Sequence, residues 1–434
     1  MKILIDIFIA TLLVAGCSGC QDASNAGDSG LDTASDTTSS SEDTSGTETD
    51  TETASETYTG EPGDWEWTPN PDGEDCGPGC KQLTFVKEVR SYEWDVWDDM
   101  LVFRTEQDPD VTPNVSLYIV NISEQKHARL PNPGVMFGSS DMHPFYPSIY
   151  MKKVYWGGKS YDTPQTIAAI LEADITQKII RVVHKNDVPV GPAKYMDVYE
   201  DKIVSQGGCG TALEAYPLCI FDLSTSPATV TVALEDHAAW TSLWDGKVVF
   251  TDSRYNDNYN LDVTMYDIAA GQFVPIAAEP NYTAFPGRIQ GHRVVYNDLR
   301  YGTSQDAIMG DWDHAAVFVH DLDTGQKRQV TNAQWIAATP DIYGDVVVWL
   351  DYRNALDPNW IGSSGDKQVW GYNLVTNVTA QITNLPADQD PDRAKICPHI
   401  FGDKVFVEMG ARGVPGVGYS IFMFDLPEAL KTPK

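Results

Sequence analysis

The chain has 434 residues, 42% of them hydrophobic, with 12 Trp and 20 Tyr, enough apolar and aromatic mass for one large core. Its formal net charge of -32 excludes the basic footprint that binds a nucleic-acid backbone and disfavours docking onto an anionic membrane surface.

Met1-Lys2 is a short positive region, and Ile3 to Ala15 is apolar but too brief to span a bilayer, so the N-terminus reads as a secretory signal. Leu13-Val14-Ala15-Gly16-Cys17 resembles a bacterial lipobox, which implies a signal peptide over 1–16 and lipidation of Cys17. Asp6 departs from that pattern, and Ser18 after the cysteine implies the outer membrane by the same resemblance. Residues 17–62 carry eleven acidic side chains between Asp22 and Glu61 and no Lys or Arg. Such a Ser/Thr-rich, one-signed stretch has nothing to bury and is expected to act as an extended tether. Membrane attachment would then be through the N-terminal lipid alone.

An ordered lead-in over 63–80 holds Trp65, Trp67, Cys76 and Cys80. Export favours disulfides. Cys209 and Cys219 flank a Gly-rich loop between two expected strands and are paired; Cys76 and Cys80 close a small loop or one of them reaches Cys397, and the connectivity of Cys20 stays open.

Over 81–430 a unit of about 50 residues recurs, a period that points to propellers or solenoids. One strand of each unit ends on a hydrophobic residue, then Asp or Asn, then Ile or Leu: Asn121, Asp174, Asp222, Asp267, Asp321, Asn373 and Asp425 mark seven copies, separated by 53, 48, 45, 54, 52 and 52 positions. The Asp or Asn is placed to bond a turn backbone two residues on. A second anchor, such as Asp245-Gly246 or Gly344-Asp345, precedes an apolar run and reads as a hairpin inside a blade. The last unit lacks a final strand like Gln381-Ile382-Thr383, and Lys81-Gln82-Leu83-Thr84 supplies it from the front of the chain. The expectation is an all-β, seven-bladed propeller of four-stranded antiparallel blades, closed by an N-terminal strand, followed by a short tail at 431–434. Units two and three fit the repeat less well, and other assignments of them give six or eight blades.

Three units share a signature at the end of the second strand: Asp252 and Arg254, Asp298 and Arg300, Asp351 and Arg353. Residues two apart share a strand face, so each pair reads as a structural bridge at a seam, or, in the functional reading, as part of an anion site at one mouth of the channel. With VVVWLDYRN and the following strands ending in YNL and QIT, the repeat resembles the TolB-like periplasmic propellers, which implies the same fold without fixing a partner.

Binding is expected on the face that carries the longest irregular loops, which hold Tyr255, Asp257, Tyr259, Tyr301, Asp311, Trp312, Asp313 and Trp360. Aromatics beside carboxylates suit a glycan or a basic peptide. Asp388, Asp390 and Asp392 present alternate carboxylates suited to a calcium ion, without the glycine and distal Glu of an EF-hand loop; the other reading is a solvated acidic turn. No Gly-x-Ser-x-Gly, His-Glu-x-x-His or phosphate loop is present. The expected function is a non-catalytic envelope platform for a protein, peptide or glycan, with no cofactor beyond that calcium ion. The second reading is a surface lyase or glycosidase with a site in the channel, and Asp141-Met142-His143 beside Tyr146 is the first place such chemistry is sought.

Overall fold

The computed structural model describes residues 57–432 except 62, 72, 74–75, 86–88, 107–114, 138–141, 161–166, 187–192, 210–215, 255–260, 279–282, 303–313, 356–357, 359–364, 384–392 and 412–418. Seven antiparallel sheets follow one another along the chain. Their innermost strands are Val89–Trp97, Met142–Tyr150, Lys194–Tyr199, Ala238–Trp244, Ala284–Gln290, Ala337–Tyr343 and Arg393–Phe401, for blades 1 to 7 in that order. The chain is a seven-bladed β-propeller, as the repeat spacing requires.

The recurring motifs have a common mechanical job. In every blade the Ile or Leu after the Asp or Asn donates its N–H to the turn that joins the two inner strands: Ile122 to Asp99, Ile175 to Lys152, Leu223 to Asp201, Ile268 to Gly246, Leu322 to His292, Leu374 to Asp345 and Leu426 to Asp403, at 2.7–3.0 Å. In blades 1 to 6 the preceding carboxylate or amide caps its own turn, as where Asp321 Oδ1 accepts from Thr324 N at 2.9 Å and Asn373 Oδ1 from Val375 N at 2.9 Å, whereas Asp425 in blade 7 accepts from Lys404 Nζ at 2.6 Å. Hydrophobic residues between these anchors fill the spaces between adjacent sheets, for example Val295, Val317, Val347 and Trp349 between blades 5 and 6.

Ring closure follows the same rule. Cys80–Gln82 pairs with the third strand of blade 7, Ser420–Asp425. Gln82 Nε2 donates to Thr84 O and Thr84 Oγ1 accepts from Ile421 N, at 2.8 and 2.9 Å. Gln329 and Thr331 in blade 5, and Gln381 and Thr383 in blade 6, repeat both bonds. Residues 82–84 are therefore the outer edge of blade 7 displaced to the front of the chain, and they give blade 7 the same four strands as blades 3 to 6.

Order begins before residue 62, the sequence-based end of the tether. Thr57–Tyr58 adds a fifth strand to blade 2 and Thr68–Pro69 a fifth strand to blade 1. Trp65, buried between them, holds this segment by donating its indole N–H to Thr59 O at 2.9 Å. Disulfides join Cys76 to Cys80 and Cys209 to Cys219, and Cys397 takes part in neither. Among the described residues no helix is long and apolar enough to cross a membrane.

Candidate functional site in the central channel

Each innermost strand breaks register once, two to five residues before its hairpin. The break turns one side chain per blade toward the axis, and the seven equivalent residues are Asp95, Ser148, Asp197, Ser242, Arg288, Asp341 and His399. Four of them clip the blade ahead: Asp95 Oδ2 accepts from Ile149 N at 3.0 Å, Asp197 Oδ2 from Leu243 N at 2.8 Å, Ser242 Oγ from Ile289 N at 3.2 Å and Asp341 Oδ2 from Ile400 N at 3.0 Å. Their first role is to hold neighbouring blades in step.

Arg288 breaks the pattern. From blade 5 its guanidinium reaches Asp95 on blade 1 and Asp197 on blade 3, both at 3.9 Å, and His399 on blade 7 at 3.5 Å. A side chain that meets blades 1, 3 and 7 from blade 5 lies across the axis, with one vestibule toward each end of the ring. Gly287 makes the approach feasible: a Cβ there would lie 2.2 Å from the carbonyl oxygen of Pro340 on blade 6.

The electrostatics are those of one cation shared by three buried anions. Burial alone would lower the affinity of Arg288 for its proton, but the carboxylates of Asp197, Asp341 and Asp95 outweigh it and raise its pKa above the ordinary arginine value. Burial lifts Asp197 to about 6; Arg288 opposes that rise and the charge of Asp95 adds to it. Asp341 moves the other way. Burial would raise it, but the His399 hydrogen bond and the Arg288 charge hold it below the usual carboxylate range. His399 Nδ1 lies 3.4 Å from Asp341 Oδ2.

The vestibule on the side of the blade-to-blade joins is walled unevenly. Tyr146 and Tyr195 approach with centroids 4.8 Å apart, Tyr195 and Trp240 at 6.0 Å, and Trp240 and Phe285 at 5.3 Å, an arc across blades 2 to 5. Tyr146, Tyr195 and Trp240 hold φ of 45°, 46° and 48°, a left-handed conformation unfavourable for bulky residues and maintained here by the register break. Glu93 closes the wall on blade 1, accepting from Arg104 Nη1 at 2.5 Å and from Tyr146 N at 3.2 Å. The equivalent positions on blades 6 and 7 are Thr339 and Cys397, which carry no aromatic ring.

Of the residues expected from the sequence, the described ones fall outside this cluster. Each Arg of the recurrent pairs forks onto the Asp two residues before it: Arg254 onto Asp252, Arg300 onto Asp298 and Arg353 onto Asp351, with Nη2 to Oδ2 distances of 2.7, 2.5 and 2.7 Å. The guanidinium then lies over an aromatic ring, Phe273 for Arg254, Phe318 for Arg300, and Trp335 and Trp370 for Arg353. The fork and the ring contact lie within reach of the pair's own strand end, so the pair closes locally and not across a seam. Tyr301 is 41% exposed and donates to Gln329 Oε1 at 2.9 Å, outside the channel. Tyr255, Asp257, Tyr259, Asp311, Trp312, Asp313 and Trp360 lie outside the described residues, as do Cys17, Cys20, Asp141, Asp388, Asp390 and Asp392. His143 stacks on Phe145 at 6.5 Å next to the aromatic arc. Among the described residues no group of three or more His, Cys, Asp or Glu is placed to hold a metal ion.

The sequence matches no protein-family model and no curated protein. Solved structures do resemble the chain. An oligogalacturonate lyase in complex with manganese covers 85% of it and 99% of its own length at 12% identity, with a TM-score of 0.53. A puromycin-hydrolysing peptidase of Mycobacterium tuberculosis aligns at 11% identity and a TM-score of 0.54, over 79% of this chain and 52% of the peptidase, so the chain spans about half of that enzyme. TolB of Acinetobacter baumannii is also among the similar structures, at 11% identity and a TM-score of 0.36, over 79% of this chain and 66% of TolB. The likeness is one of fold.

Proposed function

We propose that the protein is a non-catalytic binding platform of the cell envelope, held on its tether by a lipid on Cys17 at the outer membrane, and that it engages an envelope protein, peptide or glycan through the vestibule above Arg288. The observation that carries this reading is asymmetry. A ring of repeats with one scaffold role has no need of aromatic side chains on blades 2 to 4 and small ones on blades 6 and 7, whereas a ligand lying to one side of the axis does. The arc lies at the end of the ring where the second strands of blades 4, 5 and 6 finish, at Asp252, Asp298 and Ala355.

A second reading, a lyase or glycosidase with its site in the channel, is favoured by the convergence of Arg288, His399 and three carboxylates. Three carboxylates against one guanidinium disfavour a polyanionic substrate, and each of the three has one oxygen committed to a neighbouring blade. The two readings separate in one comparison. Tyr195→Ala and Trp240→Ala are expected to lose most of the partner captured by the wild-type protein, with no polysaccharide cleaved by either. Turnover of a polysaccharide by the wild type that disappears in His399→Ala would sink the platform reading.

A further inference from the structure

The opposite vestibule, on the side of the inner hairpins, has a different chemistry. The last residue of each innermost strand is Trp97, Tyr150, Tyr199, Trp244, Gln290, Tyr343 or Phe401. Six of these seven are aromatic and they meet around the ring: Trp97 with Tyr150 at 4.4 Å, Tyr150 with Tyr199 at 5.4 Å, Tyr199 with Trp244 at 4.5 Å, Tyr343 with Phe401 at 4.8 Å and Phe401 with Trp97 at 5.2 Å. Gln290 fills the gap between Trp244 and Tyr343 and accepts from Gly344 N at 2.5 Å. All but Tyr150 are partly open to solvent.

The next residue in three of these blades is acidic: Asp98 after Trp97, Glu200 after Tyr199 and Asp245 after Trp244. All three are exposed, and none forms an ion pair with a described residue. By contrast Asp201, Asp345 and Asp403, in turns on the same rim, are neutralised by Lys202, Arg293 and Lys404. Met151, 65% exposed in the hairpin of blade 2, adds a polarizable thioether to the rim. Below the aromatic collar lie Asp95, Asp197 and Asp341, three carboxylates for the single charge of Arg288.

We infer that this collar is a binding site for an organic cation of the ammonium or quaternary ammonium type. Ring faces attract a positive charge through their quadrupole, and the attraction strengthens where water is partly excluded. A metal ion is poorly served by such walls, since hard cations need several oxygen ligands at close range and this collar is built of aromatic rings. An anion would meet carboxylates on the rim. A neutral apolar ligand would gain from burial but nothing from Asp98, Glu200 and Asp245. The site is independent of the loop-side vestibule, so its failure leaves the platform reading where it stands.

The test is a titration of the purified protein with tetramethylammonium and, in parallel, with tert-butanol, its neutral near-isostere, followed by ligand-observed NMR. Tetramethylammonium is expected to saturate and tert-butanol to leave no saturable signal. Tyr199→Leu and Glu200→Gln are each expected to weaken the cation several-fold with an unchanged melting temperature for Glu200→Gln, which alters only a surface charge. Equal binding of the two probes, no saturation by tetramethylammonium, or unchanged affinity in Glu200→Gln would overturn the assignment. Choline and Nα-acetyl-lysine amide, titrated in the same way, separate a free quaternary headgroup from a lysine side chain as the natural form of the cation.

Discussion

Arg288 is the residue on which the centre of the ring depends. Replacing it with Met leaves Asp95, Asp197 and Asp341 facing one another across the channel, and removing one partner of a buried ionic group costs about 3–5 kcal/mol. The loss is expected to be larger near pH 8 than below about pH 6, where Asp197 takes up a proton and relieves the repulsion; urea denaturation at the two pH values reads it. Asp197 has its own signature. Its folded pKa of about 6 lies above the unfolded value, so its contribution is most favourable at low pH and falls as pH rises through 4 to 6, by roughly 2–3 kcal/mol. Asp197→Asn, whose amide oxygen still accepts from Leu243 N, should remove that slope. Asp341, held below the usual carboxylate range, has the opposite sign: its contribution is present at neutral pH and is lost as pH falls through its depressed pKa. Gly287→Ala forces a Cβ onto the Pro340 carbonyl, a clash that moves the strand carrying Arg288 and is expected to destabilise by about 1–3 kcal/mol.

At the scale of strands and blades, the repeat could be read from the sequence because each blade must solve the same local problems. The Asp or Asn of blades 1 to 6 caps a turn, the following Ile or Leu of every blade pins it to the inner hairpin, and Gln-x-Thr fastens the outer edge of blades 5 to 7. These bonds join residues close together in the chain or in fixed register, so they leave a period. Closure at Gln82-Leu83-Thr84 was legible for the same reason. Leu83 is fully buried, and Leu83→Ala is expected to cost about 2–5 kcal/mol in equilibrium unfolding, while Thr84→Val, which strands the Ile421 N–H, costs about 1–3 kcal/mol. The channel was not legible in this way. Its seven residues come one from each blade, about 50 positions apart, and differ in type, so local spacing carries no trace of their meeting. A signal was nonetheless present: a polar residue, an aliphatic one and then a residue of the aromatic collar precede the inner hairpin in Asp95-Val96-Trp97, Asp197-Val198-Tyr199, Asp341-Ile342-Tyr343 and His399-Ile400-Phe401. The Asp-x-Arg pairs attracted notice because their partners are adjacent in sequence, and that adjacency is why they close on themselves.

Across the whole molecule, a propeller closed by its own N-terminal strand presents two faces with Arg288 across the channel between them, and the two mouths carry different side chains. Its acidity suits this arrangement, with Asp98, Glu200 and Asp245 concentrating charge at the hairpin mouth. The expected anchor is separable from the fold. Cys17→Ser is predicted to move the protein from the membrane fraction to the soluble fraction while its melting temperature stays unchanged, since the first described strand begins at Thr57. Retention in the membrane fraction would remove the lipid from this scheme.

The most direct measurement is photo-crosslinking in intact cells from p-benzoylphenylalanine placed at Trp240, in the loop-side vestibule, and, as control, at Val375, exposed at an outer turn of blade 6. Binding above Arg288 predicts one discrete adduct from position 240, diminished by Tyr195→Ala, and none from position 375. Adducts from position 375 alone, or from neither position while the protein is folded and anchored, would contradict it.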